Sequence, residues 1–189
     1  MFLTSLRNRF INLLSYRNIF TPVLLKRLCV LTAVLIIVIL IQYCFLGNLR
    51  IFGARLNLVL CFIVFIGLNE SILLSILISI LAGFINSSFS ILFFGADSLT
   101  FVLLVMLAQE VKKKIFTQGI LVLSIMVYFG TWINFFVVKF YGLVSGGTFA
   151  VRLLAQQAFL EAILNCITMY VVFKLLKKCA SAQFISLPQ

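Results

Sequence analysis

The polar side chains that could take part in binding or chemistry are concentrated on the last apolar segment of the chain. Gln157, Glu161, Asn165 and Thr168 fall within about 80° of one another on a helical wheel of about 100° per residue, so they form one narrow stripe. In hydrocarbon each such group needs a hydrogen-bonding partner. We therefore expect the stripe to face the interior of a helix bundle, a cavity or a helix of another protein.

Glu161 is the costliest member of this stripe because a carboxylate in lipid must be protonated or paired. Arg152 is one candidate partner, and Thr131 and Asn134 on the preceding apolar segment are others. Internal bonding between helices is the first interpretation of the stripe, and contact with a ligand or a partner protein is the alternative.

The chain lacks the residues on which most membrane enzymes depend. It has no histidine and only four acids, whereas proton transfer and metal-assisted catalysis usually need histidine, paired acids or clustered ligands. The motifs HExxH, GxSxG and GxxxxGK[ST] are missing. The cysteines occur singly, without the spacing of a zinc or redox site: Cys29, Cys44, Cys61, Cys166 and Cys179. We expect no catalytic residue, no metal site and no cofactor.

The other three acids lie at the boundaries of apolar segments. Glu70 and Glu110 are expected to be solvated ends. Asp97 is expected to cap the helix that follows it, through the amides of the first turn.

The composition predicts a lipid environment. Apolar residues make up 64% of the 189 residues, and fifteen Lys and Arg against four acids give a net charge of +11. Three apolar segments have about the 20 residues that are needed to cross a bilayer: Leu28–Leu46, Ile115–Val138 and Leu153–Phe173. Because the basic residues flank these segments, their charge indicates contact with anionic lipids rather than with nucleic acid.

The number of spans depends on two apolar runs, Leu56–Leu68 and Ser71–Ile85, which are separated only by Asn69 and Glu70. Treating them as two spans places most basic residues on the cytoplasmic side, whereas fusing them divides the basic residues almost evenly and abandons the usual cytoplasmic bias. We therefore predict an all-α membrane protein with six transmembrane helices, of which helices 2 to 4 are short, and with both termini cytoplasmic. Leu99–Val111 is the fourth helix.

Three regions follow from this threading. Residues 1–27 form a basic prefix that is expected to lie in the cytoplasmic interface, although a frayed prefix is the alternative, and Pro22 separates it from the first span. Residues 28–178 form the six-helix domain, and residues 179–189 form a short cytoplasmic tail. The predicted connections on the outer side are Gly47–Arg55, Asn86–Ser98 and Tyr141–Thr148.

One run of features resembles a known family. Arg55-Leu56-Asn57 precedes an apolar helix, Ala82 and Asn86 lie near the end of the next helix, and Leu92 to Gly95 lead into the fourth. This order resembles the rod shape-determining protein MreD family, in which Arg-Pro-Asn opens helix 2, a glycine stands four residues before an aspartate near the end of helix 3, and Leu-Gly leads into helix 4. Leu56, Ala82 and Asn86 depart from that pattern, while Arg55, Asn57 and Gly95 keep it.

The resemblance implies a non-enzymatic scaffold of the bacterial inner membrane. Members of the family bind the bitopic protein MreC and help to couple MreB filaments to peptidoglycan synthases in the cell-elongation complex. It also implies a fold similar to the substrate-binding subunits of energy-coupling-factor transporters. That kinship supplies the alternative, a membrane subunit that binds a vitamin or a metal.

A partner helix needs a surface that permits close approach. Small and polar residues that recur along helix 3 permit such an approach, and we expect them to receive the partner near helices 3, 4 and 6: Ser75, Ser79, Ala82, Gly83 and Asn86.

Overall fold

The computed structural model describes residues 22–46, 50–51, 54–89, 95–114, 119–144 and 151–181. Most of the predicted prefix and all of the predicted tail beyond residue 181 lie outside these residues. The described chain contains six α-helices: α1 Pro22–Ile41, α2 Leu58–Asn69, α3 Ile72–Ser88, α4 Ala96–Lys114, α5 Ile120–Val144 and α6 Val151–Ser181. A π-helical turn, Gln42–Leu46, extends α1.

A small hairpin interrupts the predicted all-α architecture. Strand β1 (Arg50–Ile51) pairs antiparallel with β2 (Ala54–Arg55), so that Arg50 is opposite Arg55 and Ile51 is opposite Ala54. The hairpin occupies the predicted connection Gly47–Arg55, and β2 packs against α6.

Among the residues that the structure describes, three helices are long and apolar enough to cross a membrane, over Leu24–Leu46, Ile120–Val137 and Gln156–Lys174. Helices α2 and α3 are shorter apolar helices. The described structure is therefore that of a helical protein whose apolar segments suit several membrane crossings. The predicted turn Tyr141–Thr148 begins too early, because α5 continues to Val144; residues 145–148 lie outside the described chain.

Helix α2 is the centre of the fold. It packs against every other helix of the described chain, and nine of its twelve residues are buried. A helix that is apolar on all sides is stable in this position because it exposes no face to the surroundings. The core around it contains large side chains from three neighbours, including Leu35 of α1, Phe101 of α4 and Met169 of α6.

The chain reverses between α2 and α3. Glu70 follows the last residue of α2 in an extended conformation, and its amide donates to the carbonyl of Ile66 at 2.8 Å. Long-range contacts fix the directions of the neighbouring helices: Arg27 near the start of α1 pairs with Glu70, while Tyr43 after α1 meets Asn86 near the end of α3. Helices α1 and α3 therefore run parallel, α2 runs against both, and α2 and α3 are two helices rather than one fused span.

Candidate functional site

Polar side chains in the described chain meet at three places, and each place is the end of a short helix. The first, at the start of α2, is named here the Asn57 cluster and contains Gln42, Arg55, Asn57, Thr131, Glu161 and Asn165. The second joins the end of α3 to the start of α4, and the third surrounds the end of α2. The end of a helix leaves backbone amides or carbonyls without partners inside the helix. Side chains in these clusters can supply the missing hydrogen bonds.

The Asn57 cluster completes the start of α2. Asn57 is the N-cap residue, and its Oδ1 accepts from the amide of Leu60 at 3.0 Å. Gln42, on the π-helical turn after α1, accepts from the amide of Val59 through Oε1 at 2.9 Å. Two side chains from different segments thus satisfy the free amides of a buried helix terminus.

Asn165 ties this helix start to α5 and α6. Its Oδ1 accepts from the backbone amide of Asn57 at 2.9 Å, and its Nδ2 donates to Oγ1 of Thr131 at 3.0 Å. Asn165 is only 1% exposed. The carboxamide uses both of its ends, which is the arrangement that a buried polar group requires.

The predicted polar stripe of α6 divides into inward and outward parts. Asn165 is buried, and Glu161 accepts from the backbone amide of Arg55 at 3.3 Å through Oε1. Thr168 donates to the carbonyl of Leu164 on its own helix, and Gln157 is exposed. One partner of Glu161 is therefore the backbone of β2, which sequence reasoning did not anticipate; the side chain of Arg152 lies outside the described part of the chain.

The second polar contact joins Asn86 on α3 to Asp97 on α4. Nδ2 of Asn86 donates to Oδ2 of Asp97 at 2.6 Å, and the hydroxyl of Tyr43 donates to Oδ1 of Asn86 at 2.8 Å. Asn86 and Asp97 are each 8% exposed. Asp97 lies inside the first turn of α4 and holds α3 through Asn86, so it acts as a link between helices, where the sequence predicted a cap.

The π-helical turn allows two consecutive residues to bond in two different polar clusters, at the start of α2 and at the end of α3. Gln42 reaches the start of α2 while Tyr43 reaches the end of α3 and stacks on Phe89, with ring centroids 4.2 Å apart. A π-turn widens the helix and changes the direction of successive side chains, and such turns are frequent at functional positions. In the sequence Gln42 stands out only as the one strongly polar residue of Leu28–Leu46, and nothing marks Tyr43, because an apolar segment gives no sign of a π-turn.

The small-residue face of α3 does receive a helix, but that helix is α4 of the same chain. All of its predicted members are buried: Ser75, Ser79, Ala82, Gly83 and Asn86. A Cβ added at Gly83 would overlap the backbone of Ser98 on α4. This face is therefore filled from within the described chain, which corrects the expectation that a partner helix binds there.

The third cluster closes the end of α2. Nε2 of Gln109 donates to the carbonyls of Gly67 and Glu70 at 2.8 and 3.1 Å, and Nζ of Lys112 donates to the carbonyl of Glu70 at 3.1 Å. Donors and positive charge stabilise a helix C-terminus because its last carbonyls carry partial negative charge.

Glu70 differs from the predicted solvated end. Its side chain is only 12% exposed, and its Oε2 lies 3.7 Å from Nη1 of Arg27. The side chain of Glu110 is 61% exposed and pairs with Lys113 on the same helix, as expected for a solvated position.

Of the residues that carry the family resemblance, Arg55, Asn57 and Gly95 lie just before helices, whereas Ala82 and Asn86 lie in the second half of α3. Arg55 and Asn57 precede α2, and Gly95 precedes α4 with a φ of 93°, a conformation that favours glycine. In the described part of the chain, no three His, Cys, Asp or Glu residues are grouped so that they could hold a metal ion. No family model, curated protein or solved structure matches this chain.

Proposed function

We propose that the chain is a multi-pass protein of the bacterial inner membrane, with six spans and both termini in the cytoplasm. Contacts among charged residues at one end of the bundle support this proposal: Arg27, Glu70 and Lys112 lie together at the same end of α1, α2 and α4. The basic residues 112–114 and Lys174 then share the cytoplasmic side, as the charge bias of membrane proteins favours. Anionic phospholipids are the lipid partners that this side attracts.

Labelling of single cysteines tests this threading. In a variant whose native cysteines are replaced by serine, Ser71→Cys is expected to react with a membrane-impermeant maleimide only from the cytoplasmic side, and Ser88→Cys only from the opposite side. Both native residues are exposed, which makes the pair well matched. Labelling of both positions from one side would contradict the six-span threading.

Within that membrane, we propose a non-enzymatic scaffold of the cell-elongation complex. The observation that carries this proposal is the position of Arg55, Asn57 and Gly95, which keep the MreD pattern: Asn57 caps α2, Arg55 lies two residues earlier in β2, and Gly95 directly precedes α4. The proposed partner is a bitopic membrane protein similar to MreC, and through it MreB filaments and peptidoglycan synthases.

The outer half of α6 is the proposed contact for the partner helix. Gln156 is exposed at the start of the candidate span Gln156–Lys174, and exposed Phe159 and Ile163 lie within about 60° of it on a helical wheel of about 100° per residue. An exposed carboxamide in a membrane-spanning helix gains from a hydrogen bond to a second helix. The face of α3 that was expected to serve this purpose is already covered by α4.

Copurification from mild detergent tests the scaffold. The wild-type chain is expected to retain an MreC-like protein coexpressed with it, and Gln156→Leu is expected to reduce the recovered partner several-fold while leaving the unfolding temperature unchanged. Gln157→Leu is the matched control, because Gln157 is also exposed but lies about 100° away on the helix. Equal recovery with both variants would place the partner elsewhere, and no recovery with the wild-type chain would contradict the scaffold.

One observation favours the alternative, a membrane subunit that binds a small molecule. Oδ1 of Asn134 on α5 is buried and accepts no hydrogen bond within the described chain. A buried acceptor of this kind is uncommon and often marks a water or ligand position. Mass spectrometry of the purified chain tests this: a vitamin retained at one copy per chain, and lost in Asn134→Leu, would favour the transporter subunit over the scaffold.

A further inference from the structure

A lateral groove opens on one side of the central helix. Around α2 the described helices pack in the order α1, α3, α4, α5 and α6, and α6 does not pack back onto α1. The three residues of α2 that are not buried lie within about 40° of one another on a helical wheel of about 100° per residue: Leu58, Phe65 and Asn69. This face of α2 is the floor of the groove.

The direction of this face places the groove between α6 and α1. A Cβ at Gly67 would lie 3.0 Å from Cβ of Ala108 on α4. The thiol of Cys61 lies 3.5 Å from the carbonyl oxygen of Asn165 on α6. On the wheel of α2, Cys61 lies about 120° beyond Gly67, and Phe65 lies about 40° beyond Cys61 in the same sense. The accessible face therefore follows α6 in the order of helices, where α1 is the next neighbour.

The walls of the groove suit hydrocarbon. Four partly buried side chains form them: Val34 and Val38 of α1, and Thr168 and Val172 of α6. On α1 the two valines lie at the edge of the buried face opposite to Tyr43, which bonds to α3. On α6 the other two lie at the edge opposite to Cys166, which contacts α5. The hydroxyl of Thr168 already donates to a carbonyl of its own helix, so all four side chains can face an acyl chain.

The groove is closed at the end near the hairpin. Strand β2, which follows α1 in the chain, packs against α6, and Oε1 of Glu161 accepts from the amide of Arg55 at 3.3 Å. The floor from Leu58 to Asn69 measures about 17 Å at about 1.5 Å per residue, which is close to half of the roughly 30 Å hydrocarbon core. The groove therefore has the length of an acyl chain in one leaflet, whereas a membrane-spanning helix would meet the hairpin.

The other end of the groove is basic. Nη1 of Arg27 on α1 lies 3.7 Å from Oε2 of Glu70, and the side chain of Arg27 is 44% exposed. Nζ of Lys112 donates to the carbonyls of Asn69 and Glu70 at 3.3 and 3.1 Å. Two cations thus meet one carboxylate at the end of the floor. The excess positive charge favours an anion, and the guanidinium of Arg27 presents donors that match the geometry of a phosphate.

We propose that an anionic phospholipid of the cytoplasmic leaflet binds in this groove, with one acyl chain along α2 and its phosphate at Arg27 and Lys112. Basic pockets between transmembrane helices bind anionic headgroups in this way. The inference rests on the proposed multi-pass placement and assigns the attraction to anionic lipids to one site. The proposed partner helix keeps another side of α6, because Gln156 lies about 120° from Thr168 on the helical wheel.

Native mass spectrometry of the full chain in mild detergent tests the proposal. After delipidation, the wild-type chain is expected to retain one molecule of added phosphatidylglycerol and several-fold less phosphatidylcholine with the same acyl chains. Equal retention of the two lipids, or no retention of phosphatidylglycerol, would overturn the lipid site. Cysteine labelling at positions 71 and 88 reports the threading independently, so a failure of the lipid site is distinguishable from a failure of the membrane placement.

Variants in the groove and at its basic end sharpen the test. Val38→Phe fills the groove and is expected to reduce the retained phosphatidylglycerol several-fold, while Ile37→Phe is the matched control because Ile37 is 55% exposed on α1. Arg27→Gln is expected to reduce retention more than Lys26→Gln, since Lys26 is exposed about 100° away on the helix. Equal retention by Val38→Phe and Ile37→Phe would overturn the proposal. The comparison of the two lipids on the wild-type chain decides the matter if Val38→Phe or Arg27→Gln does not fold.

Two further outcomes would assign the groove to a different occupant. In the variant without native cysteines, Val38→Cys that forms a disulfide with a second copy, or with a cysteine in the helix of a coexpressed partner, would assign the groove to a helix. Retention of phosphatidylglycerol only after deletion of residues 2–20 would assign it to the prefix. Either result would overturn the lipid site.

Discussion

Nδ2 of Asn86 lies 2.6 Å from Oδ2 of Asp97, and this contact joins the end of α3 to the start of α4 across a connection that turns at Gly95. The pair combines one carboxylate with one carboxamide, and both side chains are almost fully buried. Tyr43 adds a hydroxyl donor from α1, so three helical segments meet at one carboxamide. We infer that the stability of this contact depends on pairing one acid with one amide and less on which of the two helices supplies the acid.

Exchanging the two side chains tests that idea. Asn86→Asp alone places two carboxylates in contact and is expected to lower the free energy of unfolding by about 1–3 kcal/mol, because it removes a charge-assisted bond and leaves buried acceptors without donors. The double variant Asn86→Asp with Asp97→Asn restores one acid and one amide and is expected to recover most of the loss. Unfolding in mild detergent compares the wild type, each single variant (Asn86→Asp and Asp97→Asn) and the double variant, and a double variant that loses as much stability as the two single variants together would contradict the pairing.

Gly83 allows the backbones of α3 and α4 to approach closely. A Cβ at this position would overlap the Cα and N of Ser98, which are backbone atoms that cannot rotate away. Gly83→Ala is therefore expected to lower the free energy of unfolding by about 3 kcal/mol, at the upper end for overpacking. Circular dichroism during heating provides the measurement.

Two other glycines calibrate the Gly83 result. A Cβ at Gly67 would lie 3.0 Å from Cβ of Ala108, and a Cβ at Gly119 would meet nothing within 4 Å. We expect Gly67→Ala to destabilise less than Gly83→Ala, and Gly119→Ala to destabilise least, because it meets no neighbour and loses only the preference for Gly over Ala at the start of α5. The same small loss at Gly83 and Gly119 would show that the backbones of α3 and α4 do not approach each other closely at Gly83 and Ser98.

The apolar pattern of the sequence predicts the helices well because each helix is determined by the apolar run within its own segment. Six apolar runs correspond to the six helices of the described chain, and Asn69 with Glu70 marks the reversal between α2 and α3. The ends of α4 and α5 extend beyond the predicted runs because polar residues such as Lys112 continue a helix without being apolar.

The polar contacts could be predicted only in part because they depend on which helices become neighbours. The periodicity of α6 identifies Asn165 and Glu161 as needing partners, but it does not indicate that both partners are backbone amides near β2 and α2. Gln109 stands beside the basic end of α4 and resembles a solvated residue in the sequence, although it is only 8% exposed. The short hairpin that presents Arg55 to Glu161 is likewise set by tertiary packing.

Asn165 is expected to contribute more to stability than either of its partners. Asn165→Leu removes the acceptor for the amide of Asn57 and the donor to Thr131 together, and a stranded buried amide costs about 1–3 kcal/mol. Thr131→Val removes only one of these bonds and is expected to cost less. Denaturation in mixed detergent micelles compares the two variants, and a larger loss for Thr131→Val would contradict the central position of Asn165.

Gln109 is expected to hold the end of the central helix. Gln109→Leu keeps the size of the side chain but removes the donor to the carbonyls of Gly67 and Glu70, so it is expected to lower the free energy of unfolding by about 1–3 kcal/mol. Lys114→Met is the matched control, because Lys114 lies on the same helix end and is exposed; its effect is expected to stay within about 0.5 kcal/mol. Hydrogen exchange locates the change: the amides near the end of α2 are expected to exchange faster in Gln109→Leu, while those at its Asn57 end keep their protection. Faster exchange at both ends alike would show that the helix opens as one unit, and Gln109 would then stabilise α2 as a whole without holding one terminus.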